Sequence, residues 1–336
     1  MKKLFAILLC AAMLLSLAAC GSAPASSAAP ASSAEPAPSA EPSSAEPSSA
    51  EPVHIGLLQL VEHPSLDEIR ESFMAELAAA GYGDAVVDYE NGQADTNTIN
   101  SICQKFVGDK VDLIVAIATP AAQGAAAATS DIPIVFAAVT DPVAAGLVGA
   151  DGKPDRNCTG TSDVIAVDKI FDLANELTPG IQTYGFLYNL SETNSVSVIA
   201  DAKAACDAAG IAYTEATVTN SGEVTTAAQS LIGKVDAIFC PIDNTVAYAM
   251  PNLAQIANEA KMPVYVAADS MVADGGLATV GVNYTQLGKQ TADMAIRILE
   301  GAAVADVPVE VLDEYATVVN EETAAAIGVD VSAYVQ

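Results

Sequence analysis

The sequence repeats itself. "IGLLQL" from Ile55 returns as "YGFLYNL" from Tyr184 at an offset of 129, "KVDLIVAIAT" from Lys110 as "KVDAIFCPID" from Lys234 at 124, and "IPIVFAAV" from Ile132 as "MPVYVAAD" from Met262 at 130. Three matched segments, in one order and at nearly constant spacing, imply two domains built to the same plan. In each, short apolar runs alternate with longer stretches of 3.6-residue period, which is the pattern of βαβ units on a parallel sheet. Runs rich in Val and Ile suit strands buried on both faces. The chain is therefore expected to be α/β, with two lobes carrying parallel sheets.

Within the first copy, strands are predicted over 53–60, 85–92, 111–119 and 132–139. A helix follows the first strand: Leu66, Ile69, Phe73 and Leu77 recur at helical spacing, and Gly81 stops it. A second helix covers 95–109 with Asp95 as its N-cap, and Pro120 fits the first turn of a third.

The two copies differ most where their strands end. In open parallel sheets, ligands bind at the carboxyl ends of the strands. Those ends carry Gln59, Glu62, Thr119, Pro120, Ala121, Thr140 and Asp141 in the first copy. In the second they carry Asn189, Ser191, Asn194, Ser195, Asp243, Asn244, Thr245 and Asp269. Two such rims facing each other make a cleft lined by hydroxyls, amides and carboxylates. No arginine stands at a predicted strand end, so a phosphorylated or strongly anionic solute fits poorly. A zwitterionic amino acid fits better. Helix N-termini with Thr119, Thr140 or Ser195 suit its carboxylate, and Asp141, Asp243 or Asp269 suit its ammonium. Thr119, Ser195, Asp243 and Asp269 fit equally well as helix caps or turn residues. The loop Glu62-His63-Pro64 is placed to close over a ligand or to stand in solvent.

The N-terminus reads differently from the rest. "MKKLFAILLCAAMLLSLAAC" opens with Lys2 and Lys3, runs apolar to about residue 17 and ends in small residues. That is a secretory signal peptide over 1–19. "LAAC" resembles a bacterial lipobox, which implies lipidation of Cys20. Residues 21–52 are almost entirely Ser, Ala, Pro, Glu and Gly, with no apolar face to bury. They are expected to form a disordered tether, residues 20–52 with the anchor, reaching ~30 Å if fully flexible.

Composition removes several function classes. The formal charge is −29, with 13 basic and 42 acidic residues, which argues against binding nucleic acid. The chain holds 2 His, and His54 lies at the wrong end of its strand for a cleft, so a transition-metal receptor is disfavoured. There is no G-x-S-x-G elbow, P-loop or G-x-G-x-x-G after the first strand, so catalysis is disfavoured and no cofactor is expected. Cys103, Cys158, Cys206 and Cys240 show no CxxC spacing and read as buried thiols, one disulfide being open.

"IGLLQLVEHPSLDEIRESF", "QKFVGDKVDLIVAIATPAAQ", "IPIVFAAVTDPVAAGLV", "GFLYNLSETNS" and "AAQSLIGKVDAIFCPIDNTV" together resemble the ABC-transporter substrate-binding lipoproteins of the tryptophan/tyrosine-uptake type. The resemblance runs from Val53 to about residue 310. It implies two flavodoxin-like lobes in a type I periplasmic-binding-protein clamshell, with 53–160 plus 284–312 in lobe 1 and 161–283 plus 313–336 in lobe 2. It implies hinge closure on a small solute, often an aromatic amino acid, and delivery to an ABC permease. The chain is then expected outside the cytoplasm, monomeric, and held to the membrane through Cys20. A ligand-sensing lipoprotein or a nucleoside or sugar receptor of the same fold would use the same cleft.

Overall fold

The structure, a computed structural model, describes residues 52–312 and 314–335. The expected signal peptide, Cys20 and the tether up to residue 51 lie outside them. In the first lobe β1 (His54–Gln59), β2 (Val86–Asn91), β3 (Leu113–Ile117), β4 (Ile134–Ala137) and β5 (Cys158–Ser162) form a parallel sheet. Every residue of β3 and β4 is buried, as an apolar run covered on both faces requires. The helices α1 (Pro64–Leu77), α2 (Thr96–Asp109) and α3 (Thr119–Ala128) connect the first four strands. Asp95 caps α2 by accepting from the Thr98 backbone N–H at 2.8 Å, as its position in the sequence led one to expect.

The second lobe repeats the scheme with β6 (Thr183–Asn189), β7 (Ala212–Val218), β8 (Ala237–Cys240), β9 (Val264–Val266) and β10 (Ala278–Val282). Its helices are α4 (Val167–Leu177), α5 (Thr193–Ala209), α6 (Val224–Leu231), α7 (Asn244–Tyr248), α8 (Met250–Glu259) and α9 (Asp269–Ala273). The sheets run β2-β1-β3-β4-β5 and β7-β6-β8-β9-β10, which is the flavodoxin-like order with its switch point between the first and third strands. The repeated "KVD" phrases lead into β3 and β8, the third strand of each sheet.

The chain passes between the sheets more than once. From β5 it enters α4, which packs on the second sheet. From β10 it returns to the first lobe as α10 (Tyr284–Leu299), which lies against α1. A Cβ on Gly288 of α10 would meet Ser72 Oγ at 2.0 Å and the Ile69 carbonyl at 2.5 Å, so glycine permits this close approach. Then β11 (Glu310–Val311) pairs in parallel with β5, and β12 (Tyr315–Val319) pairs antiparallel with β10. Finally α11 (Glu321–Ile327) packs against α8. The connecting strands are themselves joined: Tyr284 Oη donates to Asp163 Oδ2 at 3.3 Å, and Tyr315 Oη to the Val164 carbonyl at 3.2 Å.

The four cysteines described are free and buried. Burial pushes the thiols of Cys103, Cys158 and Cys206 up to about 11, so they are inert apolar fillers rather than nucleophiles.

Candidate functional site

The carboxyl ends of the two sheets face each other, and a small cavity lies between them. The first lobe supplies His63, Ser65, Leu66, Ala118 and Ala138; the second supplies Asn194, Ile242, Asp243, Asn244, Ala247, Ala268 and Met271. The connecting strands add Asp163 and Tyr284 at its base. Ala118 and Ala138, at the ends of β3 and β4, have φ of 80° and 54°. Non-glycine residues there cost roughly 1–3 kcal/mol each, and such strain concentrates at ligand sites.

Several helix N-termini border this cavity, and those of α3 and α7, in equivalent places of the two lobes, are treated oppositely. Helix α7 is filled with acceptors. Asp243 Oδ1 caps it by accepting from Val246 N–H at 2.8 Å, while its Oδ2 accepts from Asn189 N–H and from Ser195 Oγ at 2.8 Å. Glu192 accepts from the backbone N–H groups of Asn244 and Thr245, both at 3.0 Å, and from the Thr245 hydroxyl at 2.8 Å. Burial, then the neighbouring Glu192 charge, raises the Asp243 carboxyl above the ordinary range. Helix α3 has no such acceptor. Its N-cap is Ala118, which has no side chain to offer, and the buried Thr119 hydroxyl has no partner among the described residues. The first-turn N–H groups of a helix lack intrahelical partners, so α3 presents donors and a positive dipole end beside the cavity.

At the base, Asp163 is 1% exposed. It accepts from Thr140 Oγ1 at 2.9 Å and from Tyr284 Oη. Burial pushes its carboxyl up to about 6, against the lowering effect of those bonds. Among the described residues, no lysine or arginine lines the cavity. Arg70 is used inside the first lobe, donating to Gln59 Oε1 at 2.9 Å, Asp67 Oδ1 at 3.0 Å and Tyr89 Oη at 3.0 Å.

The lobes touch across the cleft. His63 Nε2 lies 3.1 Å from Asn244 Oδ1, Ser197 Oγ donates to Asp141 Oδ2 at 3.1 Å, and Ser65 meets Ser270 hydroxyl to hydroxyl. Residues 54–336 match the family described as ABC transporter substrate binding protein. The chain belongs to that family. A tyrosine-binding protein of Clostridioides difficile is 43% identical over 277 residues, covering 82% of this chain and 80% of the relative. A domain from Streptococcus pneumoniae solved in complex with L-Trp is 38% identical, with a TM-score of 0.81, and the match covers 83% of this chain and 95% of that one. A ligand-free, open structure of a Clostridium difficile substrate binding protein is more similar in sequence, at 43%, yet has a TM-score of 0.64 with 83% and 95% covered. The greater likeness to the ligand-bound relative and the contacts across the cleft describe one thing: this substrate-binding protein is seen closed.

The expected site residues fall into three groups in this substrate-binding protein. Asn194, Asp243 and Asn244 line the inner cavity; Thr119 follows the lining residue Ala118, Thr140 donates to the lining residue Asp163, and Ala121 is buried in the first turn of α3. Glu62, Pro120, Asn189, Ser191, Asn244 and Thr245 line a larger outer groove, which meets the cavity at Asn244. The rest are engaged elsewhere. Gln59 Nε2 donates to the Val61 carbonyl and Asp67 Oδ1, both at 2.8 Å, and faces the first lobe's own network. Ser195 is fully buried on Asp243 and the Ile242 carbonyl. Asp141 joins the lobes, and Asp269, at the first residue of α9, accepts from Ser270 N–H at 2.7 Å. Sequence reasoning missed Asp163, Tyr284, Ser65 and Met271 as cavity residues, and left His63 in a loop. Asp163 follows β5, which has no counterpart among the three repeated segments. The repeat could still have exposed His63, since the offset of 129 lays it on Glu192.

Proposed function

We propose that this chain captures a zwitterionic amino acid, aromatic side chains favoured, and carries it to an ABC permease. The observation behind this reading is the pairing of an uncapped helix α3 with the buried Asp163 carboxylate around one cavity. The ligand carboxylate would lie on the α3 N-terminus and the Thr119 hydroxyl, where donors and dipole favour an anion. Its ammonium would face Asp163, a charged hydrogen bond of about 1.5–3 kcal/mol. Ala118, Ala138, Ala247 and Ala268 line the cavity with small apolar groups, and Met271 is a flexible side chain that can adapt to a ligand's shape. The tyrosine-binding relative and the relative solved with L-Trp support the aromatic preference.

In the same reading, residues 1–19 are removed, Cys20 carries the lipid anchor, and the following tether lets a monomeric receptor move over the outer membrane surface. The lobes open and close about the connections that leave β5 and β10, and the closed form is the one a permease recognises. The chain binds its solute and does not transform it. Calorimetry on the purified protein with the common amino acids, nucleosides and sugars tests the assignment. Saturable heat with L-tryptophan or L-tyrosine is expected; binding of a nucleoside or sugar with silence from every amino acid would overturn it.

A further inference from the structure

Two residues in equivalent places of the repeat meet across the cleft. At the offset of 129, His63 falls on Glu192, and each stands at the N-cap of the helix after its lobe's first strand. Neither side chain caps its own helix. Pro64 holds His63 extended, at φ −158° and ψ 160°, and the ring reaches over to the other lobe.

Both residues act on Asn244. Its Nδ2 donates to Glu192 Oε2 at 2.6 Å, and a carboxylate that also takes two backbone N–H groups and a hydroxyl can only accept. The amide is thereby oriented with Oδ1 toward His63 Nε2, at 3.1 Å. A carbonyl oxygen also only accepts, so Nε2 carries the hydrogen. In a neutral imidazole the other nitrogen is then a bare acceptor. That atom, Nδ1, is buried and has no partner among the described residues, as is true of Asn194 Oδ1 on the same cavity.

We infer that His63 determines specificity here: its Nδ1, set as an acceptor by Glu192 and Asn244 when the lobes close, takes a hydrogen bond from an N–H or O–H of the bound amino acid. This rests on the amino-acid reading above. With Asp163 and Asn194 Oδ1 it makes the cavity rich in acceptors, which selects a ligand carrying several donors. A protonated His63 would turn an N–H on that donor and oppose closure. Burial lowers its basicity in the closed form, opposed by the Asn244 bond and then by Glu192, Asp67 and Asp274; Asp163 and Asp243 also face the cavity. Opening the cleft relieves that burial, so protonation favours the open form and acidification weakens binding through His63.

The test is calorimetry with L-tryptophan, L-tyrosine and L-phenylalanine on the purified full chain, His63→Leu and His63→Gln. Glutamine supplies a donor for Asn244 and an acceptor for the cavity but does not titrate. His63→Leu should weaken the bound probes about tenfold or more at pH 7.5. His63→Gln should stay within about threefold of wild type there, and lose less affinity than wild type on acidification to pH 5.5. A loss confined to tryptophan and tyrosine identifies the donor as the side chain's; an equal loss for all three identifies the ammonium. Wild-type affinity in His63→Leu, or an unchanged pH profile in His63→Gln, overturns the inference alone, and the second decides if the leucine variant does not fold. Silence of all three probes with wild type sinks the aromatic preference and this inference with it, while the amino-acid reading falls only with silence from every amino acid.

Discussion

Helices α3 and α7 occupy the same place in the two lobes, each opening at the end of the third strand, and their N-termini are built to opposite ends. At the offset of 124, Thr119 falls on Asp243. Asp243 satisfies α7 from within and Glu192 adds a second carboxylate. Thr119 offers a short hydroxyl with no partner among the described residues, after a residue that cannot cap. A buried polar group without a partner costs roughly 1–3 kcal/mol, and a ligand seated on the α3 N-terminus would offset that cost at Thr119. One lobe therefore spends its carboxylates on its own stability, while the other leaves donors for a guest. Substitutions in the second rim should lower stability, and those around the first lobe's cavity wall should lower affinity.

The largest effect is expected at Glu192. Glu192→Ala leaves four donors on Asn244 and Thr245 without their acceptor. Relief of Asp243 from a like charge offsets part of the loss, but the orphaned donors outweigh it. Stability should fall by about 3 kcal/mol or more, and the thermal midpoint by roughly 6–12 °C. A midpoint within a degree or two of wild type would show that α7 does not depend on this carboxylate, and the contrast would fail.

Asp163→Asn should do the reverse. A carboxyl whose folded-state pKa is raised destabilises the fold when ionised. The cost is absent below the unfolded value near 3.9, builds through the interval up to about 6, and is complete above it. The asparagine variant should therefore be more stable than wild type above pH 6, by roughly 2–3 kcal/mol, with the gain vanishing toward pH 4. Its affinity for an amino acid should drop about 10–100-fold at neutral pH, because the ammonium loses its counter-charge. Binding to wild type near pH 6 should release protons as the ammonium draws Asp163 into its ionised form, visible as heats that change with buffer ionisation enthalpy. Equal affinity in the variant would move the ammonium site elsewhere.

Thr119→Val, of nearly the same shape, isolates the hydroxyl. The empty protein should unfold above wild type by several degrees, because valine removes the unpartnered hydroxyl, and affinity should fall about two- to tenfold, as for one lost neutral or charge-assisted hydrogen bond. A stability loss without an affinity loss would make Thr119 a structural residue like its counterpart.

Much of this was legible in the sequence, and the limits have physical reasons. The duplicated strands gave both sheets, because a strand buried on two faces must be written in Val, Ile and Ala. Asp95, Pro120 and the strand-end residues Asn194, Asp243 and Asn244 could be placed by spacing alone. What spacing does not show is which partner a polar side chain takes. Gln59 looked like a cleft residue because it ends β1, yet Asp67 and Arg70, one and two turns into the next helix, claim its amide. Asp243 looked like a ligand carboxylate and is held by three internal donors. Asp163 escaped because it lies in a connection between lobes, where no periodicity marks the chain.

The smallest effect is also the one that separates the closed state from the act of binding. Ser197 on α5 donates to Asp141 Oδ2 across the cleft, and both residues are half-buried. Asp141 also accepts from Ala144 N–H at 2.9 Å, so removing the aspartate would disturb the first lobe as well; Ser197→Ala removes only the contact between lobes. A partly exposed bond of this kind contributes under about 1 kcal/mol, so affinity should fall only about two- to threefold. Because the contact forms after the lobes have come together, the change belongs in the dissociation rate, with the association rate untouched. Stopped-flow measurements resolve the two. An altered association rate with unchanged dissociation would mean that the rims meet before the ligand is enclosed, and that lobe closure precedes capture.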